Sequence, residues 1–223
     1  MLLICHFLDE NDLFVDVGSN IGEYALLAAG ETKCNSLAIE PVESTFNFLK
    51  RNVELNNLQN KIQMLQVGVS NINGFENFTN NLDSENFVIR DNKVNNHNSS
   101  KIKTLTLDEI CKDKFPSCIK IDVEGFEAHV LEGARKTLQQ ENLKVVIIEL
   151  RNLSIKYNFT DEICVKILNK YGFKKTFYDP FNKRFLDKEL YQQANEIYVK
   201  NKSEVLKKIN SNNSKVFLDG LVI

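Results

Sequence analysis

The chain has 223 residues, 43% of them hydrophobic, and a formal net charge of -2 at pH 7. That length and apolar content predict one sizeable core and a single domain over residues 1–223. The near-neutral charge and the lack of a basic stripe argue against a nucleic-acid-binding protein. No apolar run approaches the roughly 18 to 20 residues that a membrane-spanning helix requires.

The cysteines are odd in number and scattered, with no C-x-x-C pair and no nearby histidine to complete a zinc site. They are predicted to be reduced thiols that pack as small hydrophobic residues. The opening MLLICHFLDEND lacks a basic leading region and a small-residue cleavage site, so no signal peptide is predicted and a cytoplasmic protein is expected. The cysteines are Cys5, Cys34, Cys111, Cys118 and Cys164.

Short β-branched runs alternate along the chain with segments of helical period. This alternation predicts an α/β fold, a mainly parallel sheet with helices on both faces. The candidate strands are Leu13–Val17, Ser36–Ile39, Ile62–Val67, Cys118–Ile121, Val145–Leu150, Phe173–Tyr178 and Glu196–Val199. The candidate helices are Gly22–Ala29, Ser44–Asn56, Phe126–Gln139 and Asp161–Tyr171, the last of them closed by Gly172.

Residues 71–103 break the alternation and are predicted to be a variable insertion. Within it, Gly74–Thr79 and Asn86–Arg90 are expected to form a short hairpin, followed by a mobile polar loop at Asp91–Ser100. Residues 13–150 are then the cofactor-binding core. Residues 151–223 supply the rest of the sheet and the acceptor side, including a loop with exposed aromatics at Tyr178–Phe185.

The first strand, Leu13–Val17, runs into a turn with the spacing D-x-G-x-x-x-G, from Asp16 to Gly22. In a doubly wound sheet this turn contacts a small ligand beyond the carboxyl end of the strand. A dinucleotide site normally has the spacing G-x-G-x-x-G and binds a pyrophosphate, which a carboxylate at Asp16 would repel. S-adenosylmethionine carries an ammonium and a sulfonium and no phosphate, so the acid favours that cofactor.

A second acid, Glu40, ends the predicted second strand, 18 residues beyond Gly22. An acid about 20 residues after the glycine turn is placed to accept hydrogen bonds from ribose hydroxyls. That feature alone would equally suit NAD. Together with Asp16 and the missing third glycine, it favours S-adenosylmethionine. The alternative is that Asp16 and Glu40 are only solvated strand ends.

Acids also end the fourth and fifth predicted strands. Asp122 and Glu124 follow the strand Cys118–Ile121, and Glu149 ends Val145–Ile148. Methyl transfer to an alcohol requires removal of a proton, so these acids are the candidate general bases. The alternative for Glu124 is a place in the first turn of the next helix, where negative charge favours the helix dipole.

Histidine and metal chemistry have less support from the sequence. His129 lies on the predicted helix away from the strand tip, and a surface or packing role is expected. Asp122, Glu124 and Glu149 are hard oxygen ligands of the type that magnesium uses. Since no adjacent pair of aspartates accompanies them, no metal is predicted.

Three blocks, LFVDVGSNIGEYALLAAG, IEPVESTFNFLKRNVELN and IKIDVEGFEAHVLEGA, resemble the FkbM-type family of class I S-adenosylmethionine-dependent methyltransferases. The resemblance covers Leu13 to Leu150 and implies a Rossmann-like seven-stranded sheet whose final strand is antiparallel. It implies that the glycine turn holds the methionine portion, Glu40 the ribose, and Val67–Ser70 the adenine. The implied cofactor-binding residues are Asp16, Gly18, Ser19, Asn20, Gly22, Glu40, Val67, Gly68, Val69, Ser70 and Asp122.

The resemblance implies O-methylation of a hydroxyl on a sugar, a glycan or a small metabolite. A nicotinamide-dependent oxidoreductase and a non-catalytic cofactor-binding relic stay open as alternatives. Members of the family commonly carry residues ahead of the first strand that help to cover the cofactor. Here only residues 1–12 precede that strand, so either another element closes the site or the start is late.

Overall fold

The structure, a computed structural model, describes residues 1–80, 86–89, 99–188 and 195–212, and the backbone of 217–218 and 221–222. Its helices are α1 Leu2–Phe7, α2 Glu23–Thr32, α3 Glu43–Leu55, α4 Leu107–Ile110, α5 Glu127–Glu132, α6 Asp161–Lys170 and α7 Lys202–Ser211, with 3-10 turns at Thr137–Gln139 and Leu153–Tyr157. Its strands are β1 Leu13–Val17, β2 Asn35–Ile39, β3 Ile62–Leu65, β4 Gly68–Val69, β5 Gly74–Thr79, β6 Val88–Ile89, β7 Ser99–Leu105, β8 Cys118–Ile121, β9 Val145–Glu149, β10 Lys174–Asp179, β11 Arg184–Leu186, β12 Asn195–Val199, β13 Phe217–Leu218 and β14 Leu221–Val222.

The main sheet has the strand order β11-β10-β12-β9-β8-β1-β2-β3. Strands β3, β2, β1, β8 and β9 are parallel, and β12 lies antiparallel between β9 and β10. The predicted α/β fold is therefore confirmed, with the final strand of the seven reversed. Predicted and observed strand limits differ by one or two residues at most.

An eighth strand, β11, replaces part of the loop predicted at Tyr178–Phe185. It pairs antiparallel with β10, which places Phe185 opposite Tyr178. The turn is closed by Asp179, whose carboxylate accepts hydrogen bonds from the side chains of Asn182 and Arg184. The loop prediction was wrong for this segment because these local contacts close a hairpin that no alternating pattern marks.

Helices cover both faces of the main sheet, as predicted. On one face, Val15 and Val17 of β1 pack with residues of α4, α5 and α6. On the other face, Phe14 packs with residues of α1, α2 and α7. Because both faces of β1 are covered, its side chains are buried from Phe14 to Val17. Helices α1 and α7 were not predicted, and both lie on the Phe14 face.

The predicted helix Phe126–Gln139 is wrong as a single element, because α5 ends at Glu132. Gly133 packs directly on the chain near β4: a Cβ there would lie 2.2 Å from the carbonyl oxygen of Ser70. Asp108 then accepts backbone hydrogen bonds from Lys136 and Thr137, at 2.9 and 2.8 Å to Oδ1. These tertiary contacts start a separate 3-10 turn, although the apolar spacing continues through it.

A second sheet, with the order β4-β7-β5-β6, stands beside the main one. The antiparallel pairing of β5 with β6 confirms the hairpin predicted from Gly74–Thr79 and Asn86–Arg90, although Arg90 lies outside the described residues. The predicted mobile loop also lies outside them except at Ser99 and Ser100, which belong to β7. The predicted third strand stops at Leu65, and Gly68 and Val69 join the second sheet as β4. Within the described part of the chain, no helix combines the length and apolarity needed to cross a bilayer.

Candidate active site

A cavity of about 260 Å³ lies at the carboxyl ends of β1, β2, β8 and β9, facing the β5–β6 hairpin. We call Val67, Val69, Phe78 and Val88 its apolar end, and Asp122, Glu124 and Glu149 its acidic end. Its lining residues are Val17, Gly18, Asn20, Ile39, Glu40, Pro41, Val42, Thr45, Val67, Val69, Phe78, Asn86, Val88, Asp122, Val123, Glu124, Phe126, Glu149 and Arg151. This is the position at which open α/β sheets bind their ligands.

The glycine turn of the first strand packs tightly against the neighbouring strands. Gly18 has φ +76°, and a Cβ there would lie 1.8 Å from the carbonyl oxygen of Asp122. The backbone N–H groups of Gly18 and Ser19 both donate to the carbonyl of Ile39, at 3.0 Å each. Gly22, with φ +95°, has no room for a Cβ beside Leu49. The backbone therefore requires glycine at both positions whatever the ligand.

The Glu40 carboxylate links the two turns that border the cavity. Its Oε2 accepts the N–H of Asn20 at 3.1 Å, and its Oε1 accepts the N–H of Val42 at 2.9 Å. Burial raises the pKa of Glu40 to about 7, and these two hydrogen bonds oppose the rise. Each carboxylate oxygen keeps a lone pair, so Glu40 can still accept hydroxyl groups from a ligand in the cavity.

Asp16 does not line the cavity. Its side chain is 1% exposed, and neither carboxylate oxygen has a hydrogen-bond partner among the described residues. It stands opposite Lys120 in the pairing of β1 with β8, on the same face of the sheet. Burial raises the pKa of Asp16 to about 6, and the charge of Lys120 opposes this rise. A direct contact between Asp16 and the cofactor thus stays a prediction.

The apolar end of the cavity is built from two sheets. Val67 and Val69 line it as predicted, whereas Gly68 packs against Phe78 and Ser70 is fully buried outside it. Phe78 and Val88 of the hairpin complete this wall and were not predicted as site residues. Both are apolar residues in a largely polar insertion, and this contrast is the one feature of the sequence that could have indicated a role in the site. The hairpin is thus the element that closes this side of the cavity.

A neighbouring cavity of about 520 Å³ is lined by other predicted cofactor residues. Gly18, Asn20 and Asp122 line both cavities, and Ser19 lines only this second one. Gly22 lines neither. The turn therefore separates two cavities, and Asp122 faces both.

The acidic end brings together the three predicted catalytic residues. One carboxylate oxygen from each of Asp122, Glu124 and Glu149 lies within 4.8 Å of the others. Glu124 lies in the turn before α5 and not in its first turn, where the alternative interpretation placed it, and has φ +52°. A left-handed backbone is uncommon for a residue with a side chain and often occurs at functional sites.

Two acids of this group, Asp122 and Glu149, interact with each other. Burial and, after it, the neighbouring Asp122 carboxyl raise the pKa of Glu149 to about 7, while Arg151 opposes the rise. Each acid also has a cationic partner. Lys120 Nζ donates to Asp122 Oδ2 at 2.9 Å, and Arg151 Nη2 lies 2.6 Å from Glu149 Oε1. Neither basic residue was predicted, although a lysine inside the buried strand Cys118–Ile121 is a visible anomaly.

The same oxygens are of the type that a hard divalent cation uses. Two of the three carboxylates are already engaged by Lys120 and Arg151. That no metal binds here stays a prediction. His129, 2% exposed, stacks on Phe126 with ring centroids 4.0 Å apart, and so has the packing role that was expected.

The fold and cavity together define a class of protein, a Rossmann-like α/β protein with a cavity at the carboxyl ends of its parallel strands, next to a group of acids. The sequence matches the family described as "Methyltransferase FkbM domain" over residues 16–175. The chain therefore belongs to the FkbM methyltransferase family. This membership confirms the predicted family and its methyl donor, S-adenosylmethionine.

Two known proteins illustrate the similarity. The hexuronic acid methyltransferase AglP of Haloferax volcanii is 34% identical over 149 residues, which cover 66% of this chain and 59% of AglP. The chain thus spans less than two thirds of that relative's length. The structure of precorrin 8w decarboxylase from Methanobacterium thermoautotrophicum matches with a TM-score of 0.50 at 14% identity, covering 89% of this chain and 86% of that one. It supports the fold alone.

Proposed function

We propose that the protein transfers the methyl group of S-adenosylmethionine to a hydroxyl group of a sugar or glycan. The observation that carries this proposal is the close approach of the carboxylates of Asp122, Glu124 and Glu149 at the acidic end of the cavity. A hydroxyl acceptor must lose a proton during the transfer, and the pair of Asp122 and Glu149 offers a place for it. The family and the sugar-directed name of AglP support the same conclusion.

The cavity suits the proposed methyl donor. Glu40 would hold the ribose hydroxyls, and the wall of Val67, Val69, Phe78 and Val88 would hold the adenine. Among the described lining residues, Arg151 is the only basic one, and it is paired with Glu149. A dinucleotide would place its pyrophosphate among carboxylates with little compensation, which disfavours the oxidoreductase alternative.

When bound, S-adenosylmethionine supplies a methyl group activated by the adjacent sulfonium. The protein's part is to hold the acceptor hydroxyl in line with that methyl group and to take up its proton. We propose that the Asp122–Glu149 pair accepts the proton and that Glu124 helps to orient the acceptor. Lys120 and Arg151 stabilise the ionised form of the pair. Because these acids are all present, a non-catalytic relic is the weaker alternative.

A second candidate is methylation of a carboxylate, which would make an ester. The name of AglP, a hexuronic acid methyltransferase, and the guanidinium of Arg151 at the cavity favour it. Against it, a carboxylate acceptor has no proton to lose and would meet three other carboxylates. We therefore prefer the hydroxyl.

The experiment is a screen of neutral sugars and uronic acids with the full chain, following release of S-adenosylhomocysteine. Isolated products are then treated with mild alkali, which hydrolyses a methyl ester and leaves a methyl ether intact. An alkali-stable product supports the proposal. An alkali-labile product supports the ester candidate, and no turnover with any acceptor contradicts both.

We further propose that residues 1–223 act as one domain in the cytoplasm, on a small-molecule or glycan acceptor and not on nucleic acid. The five buried, free cysteines support a reducing compartment. The acidic end of the cavity disfavours a polyanionic acceptor.

A further inference from the structure

The turn between β8 and α5 supplies most of the acidic end of the cavity. Of its residues 122–126, all but Gly125 line the cavity. Two successive residues have a positive φ angle, Glu124 with φ +52° and Gly125 with φ +96°. Since Glu124 carries a side chain, this path needs support from its surroundings.

One support comes from Glu127, the first residue of α5. Its side chain turns back, so that Oε1 accepts the backbone N–H groups of Val123 and Gly125, each at 3.1 Å. Groups of this kind before a helix have no partner within the helix. Glu127 is 3% exposed and does not line the cavity.

The opposite side of the turn is closed by Leu153. A Cβ on Gly125 would lie 2.7 Å from both the carbonyl carbon and the carbonyl oxygen of Leu153. The turn is therefore held between the Leu153 backbone and the Glu127 carboxylate. Loss of the Glu127 bonds would leave the part-buried N–H of Val123 and the buried N–H of Gly125 without this acceptor.

We propose that Glu127 is a positioning residue, which holds the β8–α5 turn so that Asp122 and Glu124 face the acceptor. It acts through the backbone and touches neither acceptor nor cofactor. The inference rests on the proposed function, because it assigns Glu127 to the geometry of the same acids. A small displacement of reacting groups, of about 1 Å, is enough to cost roughly 100-fold in rate.

The test compares Glu127→Ala with Glu127→Gln. The glutamine keeps the Oε1 acceptor and removes the charge, so it preserves both hydrogen bonds. We expect Glu127→Ala to lower kcat by about 100-fold with an unchanged Kd for S-adenosylmethionine, and Glu127→Gln to retain most of the activity. Glu132→Gln, at the other end of α5, is the matched control and is expected to have normal kcat.

Hydrogen exchange at the amides of Val123 and Gly125 provides a readout independent of turnover. Protection is expected in the native protein and in Glu127→Gln, and loss of protection in Glu127→Ala. The inference is overturned if Glu127→Ala keeps its kcat or its amide protection, or if it loses cofactor affinity and kcat together. It is also overturned if Glu127→Gln is as inactive as Glu127→Ala. If the native protein turns over no acceptor, the proposed function fails, and amide exchange alone decides the role of Glu127.

Discussion

The ammonium of Lys120 lies 2.9 Å from Oδ2 of Asp122, on a strand in the middle of the main sheet. Lys120 is 3% exposed, and its Nζ also lies 4.6 Å from the centre of the Tyr24 ring. A buried ammonium is unfavourable unless it is paired. The nearby charges of Asp16 and Asp122 raise the pKa of Lys120, although burial, the largest effect, opposes them. This pairing puts one positive charge directly behind the proposed proton acceptor.

Replacing Lys120 by methionine, which has a similar length and no charge, tests that arrangement. Without the cation, ionisation of the Asp122–Glu149 pair becomes less favourable, so the pH midpoint of kcat/KM should rise. Loss of one partner of a buried pair should also lower the free energy of unfolding by about 3 to 5 kcal/mol. The pH–rate profile and chemical denaturation measure the two effects. Lys112→Met, on the surface, is the control, and an unchanged midpoint in Lys120→Met would contradict the arrangement.

The pH dependence of catalysis follows from Glu149, whose pKa is raised to about 7. A general base works in its ionised form, so kcat/KM should increase with pH and level off above about 7. Glu149→Gln cannot ionise there and should lose this step while keeping its affinity for the methyl donor. A profile that falls across this range, or an unchanged profile in Glu149→Gln, would remove Glu149 from the pair.

Whereas kcat/KM should rise with pH, the contribution of Glu40 to protein stability should fall as the pH rises. Its pKa is raised from 4.5 to about 7 in the folded protein, so between these values the folded state binds more protons than the unfolded state. The contribution of Glu40 is therefore fully present below about pH 4.5 and decreases as the pH rises to 7. The difference in unfolding free energy between the native protein and Glu40→Gln should fall by up to roughly 3 kcal/mol over that range. A constant or rising difference would be incompatible with a buried Glu40.

The hairpin wall depends on Tyr157, whose hydroxyl donates to the carbonyl of Val88 at 2.8 Å. Tyr157→Phe removes that bond and should cost about 0.5 to 1.5 kcal/mol of stability. Because Val88 lines the apolar end, the affinity for S-adenosylmethionine should weaken as well. Calorimetry measures both quantities, with Tyr171→Phe as the matched control. If the affinity is unaffected, the hairpin does not form part of the cofactor site.

Much of the fold could be predicted from local patterns. The strand Leu13–Val17 could be predicted because a mainly apolar run between a polar segment and a glycine turn is typical of a buried strand. Glu40, Asp122 and Glu149 were found together because parallel strands end at the same edge of a sheet. The break at Gly133 was missed, since it depends on a contact with Ser70 that is distant in sequence.

The candidate site was harder to predict than the fold, because local patterns do not give the direction in which each side chain points. Strand register places Asp16 beside Lys120, and Asp16 does not line the cavity, so its predicted contact with the cofactor stays a prediction. Lys120 pairs with Asp122 two residues further along the chain, a spacing that places both side chains on one face of an extended segment. Phe78 and Val88 reach the cavity only because a second sheet stands against the first. Such relationships arise from tertiary pairing and are not written in a single segment.

The most direct test of the central claim, that the acid pair takes a proton from an acceptor hydroxyl, is single-turnover methyl transfer by Asp122→Asn. The native protein with methyl-labelled S-adenosylmethionine should give an alkali-stable labelled product. Asp122→Asn, measured with saturating donor because Asp122 is also a predicted cofactor-binding residue, should transfer its label at least about 100-fold more slowly. An Asp122→Asn variant that transfers at the native rate, or a native product from which alkali releases the label, would contradict the claim.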